Sequence, residues 1–251
     1  MLEILLLSIT QGITEFLPIS STAHLILISE FLNYKNENLT IDISLHLGSL
    51  IAVIFFFKKE IINFIENKSL FFKTLIGALP TLIIGFLMVK LNLIEYLRNA
   101  YAISFTTIFF GLLLYFADRS EMKKNTLDDF SLKDSIYVGL IQSLSLIPGV
   151  SRSGITITGA RFLNFDRIQS AKIAFLFSIP TLIAVSTYGV SKLIELKNLD
   201  ITAHNFWAII FSFIFSLTAL KYFIKYLKKF SLFIFVIYRI ILGLVILIYV
   251  Y

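Results

Sequence analysis

The sequence has 251 residues, of which 57% are hydrophobic and 15% are charged, with 26 phenylalanines and a mean hydropathy of +0.87. This composition excludes an ordinary soluble domain and predicts an all-α polytopic membrane protein with a single membrane domain over residues 1–251. The absence of cysteine excludes disulfides and thiolate metal sites, and basic loops on one side of a membrane explain the net charge of +6 better than nucleic-acid binding does.

The first apolar segment, about residues 2–32, is interrupted by the polar stretch QGITEFLPISSTAH at residues 11–24. It has no basic N-terminal region and no small-residue cleavage site, so we do not expect a cleaved signal peptide. Pro18 removes a helical hydrogen bond and permits a sharp turn. The pattern predicts two half-helices joined in a re-entrant hairpin, because each half is too short to cross about 30 Å of hydrocarbon.

The polar stretch concentrates side chains that are unusual inside a membrane: Gln11, Glu15, Ser20, Ser21, Thr22 and His24. Gln11 and Glu15 share a helix face, and His24 follows Ser21 by three residues on another. The hydroxyls alone could cap the backbone of a new helix. Glu15 and His24 are stronger functional candidates, since an ionisable group at membrane depth costs several kcal/mol unless it is paired or hydrated.

Six uninterrupted apolar runs follow along the chain, each long enough to form a full transmembrane helix. They lie at about residues 42–57, 74–90, 101–117, 173–191, 206–223 and 231–250. Between the third and fourth run, residues 135–163 form a second interrupted segment with Pro148 and Gly149 at the break. This segment predicts a second re-entrant hairpin.

The second break carries the stretch PGVSRSGITITGARF at residues 148–162, which places Arg152 between Ser151 and Ser153 at a helix start. Free backbone N–H groups, hydroxyls and a guanidinium together favour an anion, and a phosphate fits best. The alternative is an arginine that holds the hairpins together through Glu15. Arg161 and Arg239 are interpreted as structural, either at the membrane interface or paired locally.

The basic residues predict the orientation if the six runs cross and the hairpins do not. Fourteen of them then fall on one side, which is assigned to the cytoplasm together with the loop at about 118–134: Lys58, Lys59, Lys68, Lys73, Arg119, Lys123, Lys124, Lys133, Arg167, Lys172, Lys221, Lys225, Lys228 and Lys229. Five fall on the other side: Lys35, Lys90, Arg98, Lys192 and Lys197. Both termini are therefore expected outside the cytoplasm.

The two interrupted segments resemble each other when 131 is added to the first numbering. Gln11 then meets Gln142 and Ser20 meets Ser151, and with one residue of slippage LIAV recurs at 50–53 and 182–185. With the orientation above, this predicts an inverted repeat, about 1–117 and about 135–251, of the kind that builds membrane transporters. Residues 18–24 and 148–156 are expected to face each other.

The stretches QGITEFLPISSTAHL and PGVSRSGITITGARF closely resemble the two signature regions of the bacterial undecaprenyl-diphosphate phosphatases of the bacitracin-resistance type. IDISLHLGSLIAV is also similar to that family. The sequence departs from the family at Ala23, where glycine is usual. Gln11 lies within the family's range but leaves Glu15 as the sole carboxylate of the first motif, which weakens any mechanism requiring two.

The resemblance implies a phosphatase of the bacterial cytoplasmic membrane that converts a C55 polyprenyl diphosphate to the monophosphate. The topology predicts a site open to the outer side, and an inverted repeat leaves alternating exposure open. It would recycle the lipid carrier for peptidoglycan and other envelope polymers. It also implies a divalent cation, Mg²⁺ or Ca²⁺, which Glu15 could help to hold; a homodimer is left open. The implied catalytic residues are Ser21, His24, Glu15 and Arg152, and the implied diphosphate-binding residues are Gln11, Ser20, Thr22, Ser151, Ser153, Gly154 and Thr156.

Two chemical schemes remain open at this stage. In the first, Ser21 attacks the phosphate and His24, one helical turn away, accepts its proton. In the second, Glu15 or His24 activates a water molecule and Ser21 only binds phosphate. The architecture alone also fits a polyprenyl-phosphate flippase or a secondary transporter of an anionic substrate, which would bind the same group without cleaving it.

Overall fold

Nearly all of the described chain is α-helical. The computed structural model describes residues 1–21, 23–25, 28, 39–66, 68–93, 97, 99–195 and 202–250. Within these ranges there is no β-strand, and Lys124 and Phe165 form an isolated β-bridge. The helices are α1 (Leu2–Thr14), α2 (Leu39–Phe56), α3 (Lys58–Glu66), α4 (Lys68–Lys90), α5 (Ala100–Asp118), α6 (Leu132–Gln142), α7 (Arg152–Phe162), α8 (Arg167–Glu195), α9 (Ala203–Leu227) and α10 (Phe233–Val250).

Four helices in the described part of the chain, α4, α5, α8 and α9, are long and apolar enough to cross a membrane. They contain the four runs predicted at 74–90, 101–117, 173–191 and 206–223. The other two runs correspond to α2 and α10, which have 18 residues each. At 1.5 Å per residue these helices are about 27 Å long, slightly less than the hydrocarbon thickness. The chain is a multi-pass membrane protein.

The outer surface of the bundle is rich in large apolar side chains. Phe86, Phe105 and Phe116 are each more than 60% exposed, and Ile248 is 75% exposed. A soluble protein would not leave so many aromatic groups in water, whereas lipid chains solvate them well. An exposed apolar surface of this kind suits contact with the lipid chains of a bilayer.

Helix α8 forms the centre of the bundle. Of the most apolar 18-residue stretch of α8, 56% is buried inside the bundle, against 22% of the corresponding stretch of α4. It packs against α2, α4, α7 and α9, and its Phe175 and Phe177 are fully buried. Because α7 leads into α8 through a short turn, the second interrupted segment is anchored directly on this central helix.

Glycines allow the half-helices α1 and α6 to approach the long helices closely. A Cβ at Gly12 of α1 would lie 2.6 Å from Phe215 Cβ of α9, and one at Gly139 of α6 would overlap the Gly77 carbonyl of α4. Close backbone approach at small residues is the usual basis of helix association in membranes. As a result, α1 rests on α9, and α6 rests on α4.

The predicted cytoplasmic loop at 118–134 is held by charged groups. Asp118 accepts two hydrogen bonds from Arg167, at 2.6 and 3.1 Å, and one from the backbone N–H of Leu232. Arg161 is fully buried and donates to the carbonyls of Asp118, Ser120, Glu121 and Phe165. Arg161 is thus paired locally, one of the two structural roles expected for it.

A capping box begins α6 at the other end of this loop. Ser131 N–H donates to Asp134 Oδ2 at 3.0 Å, and Asp134 N–H donates to Ser131 Oγ at 3.1 Å. Lys124 Nζ lies 2.9 Å from the same carboxylate. Burial raises the pKa of Asp134, but the hydrogen bonds from Lys124 and Ser131 outweigh burial and leave the pKa below its usual value.

Candidate functional site

The first polar loop begins where α1 ends at Glu15. Residues 15–19 form turns, and Ile19 N–H donates to Leu17 O at 2.8 Å. Ser20 adopts a left-handed backbone conformation with φ of 71°. The chain then becomes helical again, and Ser20 Oγ accepts a hydrogen bond from Ala23 N–H at 3.4 Å. Ser20 therefore caps a new helical segment, which is one of the two roles considered for its hydroxyl, and its role in binding phosphate stays a prediction.

The second polar loop has the same construction. Helix α6 ends at Gln142, a 3₁₀ turn covers Ser143–Leu146, and Gly149 and Ser151 have φ of 89° and 70°. Ser151 Oγ accepts a hydrogen bond from Gly154 N–H at 3.2 Å, which caps α7. Gly149 cannot carry a side chain, because a Cβ there would overlap Thr106 Oγ1 of α5. The loop thus presents the N-terminus of α7.

The two loops meet, and Glu15 and Arg152 form an ion pair between them. The Glu15 side chain is 5% exposed and the Arg152 side chain 16% exposed. Ser153 Oγ also donates to Leu17 O at 2.8 Å, which joins the start of α7 to the first loop. Residues 131 or more apart in sequence therefore share one buried polar centre.

Glu15 is the central acceptor of this cluster. Its Oε2 accepts from Ser21 Oγ at 2.8 Å and from Gln11 Nε2 at 3.0 Å, while Arg152 binds Oε1. Arg152 also donates to Thr181 Oγ1 of α8 at 2.7 Å. Sequence reasoning missed Thr181, because a threonine within an apolar helix gives no signal of its own. The cluster brings a hydroxyl, a carboxylate and a guanidinium together.

The expected hydrogen bond between Ser21 and His24 is not present in this arrangement. His24 Nδ1 donates to Ser20 O at 2.7 Å, one turn earlier, and Nε2 accepts from the hydroxyl of Tyr238. The two rings are also stacked, with centroids 5.6 Å apart. In this structure the acceptor of the Ser21 hydroxyl is therefore Glu15 rather than His24, and which of the two takes the Ser21 proton stays a prediction.

The remaining predicted phosphate ligands differ in their contacts. Ser151 and Ser153 lie at the start of α7 with their hydroxyl oxygens 3.3 Å apart. Thr156 is fully buried, and its hydroxyl donates to Arg152 O of its own helix and lies 3.4 Å from Gln142 Oε1. The hydroxyl is therefore already bonded within the protein. Gly154 contributes a backbone N–H that Ser151 already binds. Thr22 lies outside the described residues.

Arg239 of α10 is the largest departure from the sequence interpretation. It was expected to reach the interface or pair locally, but it is fully buried and donates to three distant carbonyls. These are Thr107 O at 3.1 Å, Gly149 O at 3.0 Å and Pro18 O at 3.4 Å. The membrane rule that singled out Glu15 and His24 also applies to an arginine in the run IYRIILGLV, and it would have found this residue.

Within the part of the chain that the structure describes, the side chains do not form a metal site of their own. No group of three or more His, Asp or Glu residues that could hold an ion occurs in the described ranges. Glu15, the carboxylate of the cluster, already has both oxygens engaged. Protein sites for Mg²⁺ and Ca²⁺ need several oxygen ligands. The described donor set therefore does not fit a divalent cation held by the protein alone.

The arrangement is suited to phosphoryl transfer from an anionic substrate. A hydroxyl donates to a buried carboxylate, and a guanidinium, two serine hydroxyls and a helix N-terminus lie beside it. A carboxylate that accepts a hydrogen bond from a hydroxyl can take its proton during attack. The positive groups can stabilise charge on a transferred phosphoryl group.

Comparison with known proteins gives a consistent result. The family model described as bacitracin resistance protein BacA matches residues 4–245. An undecaprenyl-diphosphatase of Pelagibacter ubique is 42% identical, with 100% of this chain and 98% of that protein aligned. Undecaprenyl-diphosphatases of a Jannaschia species and of Chromohalobacter salexigens are each 38% identical, over 98% and 99% of this chain and 97% and 98% of their own lengths.

Proposed function

Because this chain belongs to the bacitracin resistance protein BacA family, we propose that it is a membrane undecaprenyl-diphosphatase. It would convert the C55 polyprenyl diphosphate to the monophosphate and inorganic phosphate, and so return the lipid carrier to envelope-polymer synthesis. The observation that carries this proposal is the hydrogen bond from Ser21 to Glu15 beside Arg152. A flippase or transporter needs no hydroxyl held against a base, and the relatives' names also favour the enzyme.

Ser21 is the proposed nucleophile. Its Oγ attacks the terminal phosphorus, the bond from that phosphorus to the bridging oxygen breaks, and the polyprenyl monophosphate leaves. The Ser21 proton passes to Glu15, which is 2.8 Å away. Water then attacks the phosphoserine phosphorus, the bond from that phosphorus to Ser21 Oγ breaks, and Oγ takes back its proton from Glu15 while the protons of the water leave with inorganic phosphate. Direct attack by water activated by Glu15 is the competing route.

Arg152 is the proposed binding group for the diphosphate. In the structure it neutralises Glu15, so substrate binding would exchange the carboxylate for phosphate oxygens. The exchange also frees Glu15 to act as a base. Ser151, Ser153 and the N-terminus of α7 supply further donors beside the guanidinium. Ser20 and Thr22 would complete the pocket from the first loop.

Gln11 and His24 are proposed to fix the first loop. Gln11 donates to Glu15 Oε2 and so orients the carboxylate. His24 holds the carbonyl of Ser20, the residue before the nucleophile. Mg²⁺ or Ca²⁺ is proposed to enter bound to the diphosphate oxygens, since the described protein groups do not provide enough ligands.

The proposed topology is an inverted repeat with six crossings and two re-entrant hairpins. The charge distribution along the sequence and the matching conformations of Ser20 and Ser151 support it. Both termini would lie outside the cytoplasm, in the bacterial cytoplasmic membrane, with the site open to the outer side. The prenyl chain would lie along the apolar helix surfaces, and a homodimer remains compatible with this arrangement.

Phosphate release by the purified protein in detergent tests the proposal. The substrate is a C55 polyprenyl diphosphate, supplied with and without Mg²⁺ or Ca²⁺. We expect Ser21→Ala to lower turnover at least about a thousandfold, and Arg152→Ala at least about a hundredfold. Ser143→Ala is the matched control, because that hydroxyl binds the Gly139 carbonyl outside the cluster, and it should keep normal turnover.

A trapped phosphoserine distinguishes the two routes. Rapid acid quenching and mass spectrometry should find phosphate on the peptide that contains Ser21. Near-normal turnover of Ser21→Ala would exclude the covalent route and favour water activated by Glu15. If folded wild-type protein releases no phosphate under any cation condition, the diphosphatase proposal is rejected and the flippase becomes the favoured function.

A further inference from the structure

Arg239 links three parts of the bundle at the site. Its guanidinium donates to Pro18 O of the first loop, Gly149 O of the second loop and Thr107 O of α5. All three acceptors are neutral backbone carbonyls. No carboxylate pairs with Arg239 among the residues that the structure describes, whereas Arg152 is paired with Glu15. Arg239 is therefore a buried cation without a counter-ion in the described part of the chain.

A purely structural role explains this arrangement poorly. Burying an unpaired charge costs several kcal/mol, and a neutral donor could bind the same carbonyls at lower cost. Each terminal nitrogen of arginine carries two N–H groups, and one acceptor for each is found in the described ranges. The unpaired positive charge and the remaining N–H groups of Arg239 favour an anion as its partner.

The guanidinium of Arg239 lies beside the proposed anion site. A Cβ on Gly154 would lie 2.8 Å from Arg239 Nη1 and 3.1 Å from Ser151 Oγ. Arg239 thus lies against the first turn of α7, at the end that presents Ser151, Arg152 and Ser153. Its charge adds to the helix N-terminus in a place shielded from water, where charges act strongly.

We propose that Arg239 is a second arginine of the anion site: it holds the two loops at a fixed spacing and supplies an unpaired positive charge that attracts the diphosphate headgroup. This assignment rests on the proposed diphosphatase function for the identity of the anion. Arg239 acts as a positioning residue and Arg152 makes the direct contact. Before substrate binds, Glu15 cancels the charge of Arg152, so Arg239 provides the net positive charge of the empty site.

Binding of a substrate analogue tests the charge without requiring turnover. The probe is farnesyl methylenediphosphonate, which cannot be hydrolysed, and its dissociation constant is obtained from thermal stabilisation of the full-length protein in detergent. We expect Arg239→Gln to weaken probe binding about tenfold or more. Arg239→Lys keeps the charge but cannot reach three carbonyls, so it should bind the probe within about threefold of wild type while turnover falls at least about tenfold.

Arg161→Gln is the matched control, because Arg161 is equally buried and also donates to backbone carbonyls, but it lies in the cytoplasmic loop region and has Asp118 nearby. It should lower the melting temperature and leave probe affinity unchanged.

Equal probe affinity in Arg239→Gln and wild type would overturn the proposal, as would equal weakening by Arg161→Gln. If Arg239→Gln does not fold, the folded Arg239→Lys variant decides. Probe affinity equal to that of the wild type would support the charge assignment, and weaker probe affinity would overturn it. If wild-type protein binds the probe but does not cleave the substrate, the diphosphatase function is rejected while the role of Arg239 in anion binding stands.

Discussion

Ser20 and Ser151 both have a positive φ, of 71° and 70°, and each hydroxyl accepts the N–H of the residue three positions later. A left-handed conformation is unfavourable for residues other than glycine. The helix caps that these serines provide offset that cost. The same local solution occurs twice, 131 residues apart, on the two sides of one polar centre.

The Ser151 cap leads to a comparison of two substitutions. Ser151→Ala removes the cap and keeps the strained φ, so it should lower the free energy of unfolding by about 1 kcal/mol or more. Ser151→Gly also removes the cap but tolerates positive φ, so its loss should be smaller. Thermal unfolding in detergent measures both. Equal losses would show that backbone strain at Ser151 is negligible.

The contacts of His24 predict a moderate role in turnover. Because both ring nitrogens bind other groups, His24→Asn should keep at least about a tenth of wild-type turnover. Glu15→Gln should lose at least a factor of about a hundred, because the amide cannot accept the Ser21 proton. Tyr238→Phe, which removes the partner of Nε2, should stay close to wild type. Steady-state phosphate release checks the order, and a greater loss in His24→Asn than in Glu15→Gln would restore His24 as the base.

The contact between α6 and α4 predicts contrasting effects of two glycine substitutions. Gly139→Ala would drive a methyl group into the Gly77 carbonyl and should destabilise the protein by about 3 kcal/mol. Gly159→Ala meets only the flexible Ile141 side chain, at 3.3 Å, and gains helix propensity. It should change stability by less than about 1 kcal/mol. Melting temperatures of the two variants, measured in one detergent, should differ clearly.

The pKa of Asp134 predicts how pH affects the loop before α6. Its lowered pKa means that the ionised form stabilises the folded state at neutral pH. This contribution is present above the usual aspartate pKa of about 3.9 and is lost as the pH falls below it. Asp134→Asn should therefore have a lower melting temperature than wild type at pH 7. The difference between the two melting temperatures should shrink as the pH falls below about 4. A difference that does not depend on pH would show that the charge of Asp134 does not stabilise the folded state.

Much of this architecture could be predicted from hydropathy alone. Apolar runs mark helices because crossing a bilayer requires a long apolar surface, and all six predicted runs lie in helices. The pairing of Glu15 with Arg152 was one of two alternatives considered, because two opposite charges at membrane depth require partners. Their roles in catalysis stay predictions.

What could not be predicted is which face of an apolar helix turns inward. Core and lipid-facing positions are equally apolar in a membrane, so periodicity does not show that Arg239 points to the loops or that Thr181 faces Arg152. The partner of His24 was missed for the same reason, since Tyr238 lies 214 residues away. Such contacts depend on tertiary packing, which a local pattern does not encode.

The three hydrogen bonds of Arg239 also constrain biogenesis. Pro18 and Gly149 are synthesised long before α10, and their carbonyls have no bond to Arg239 until that helix has left the ribosome and entered the membrane. A nascent chain that already contains both signature stretches therefore still lacks the crosslink between them. The polar centre therefore gains this crosslink only after α10, the last helix that the structure describes, has inserted.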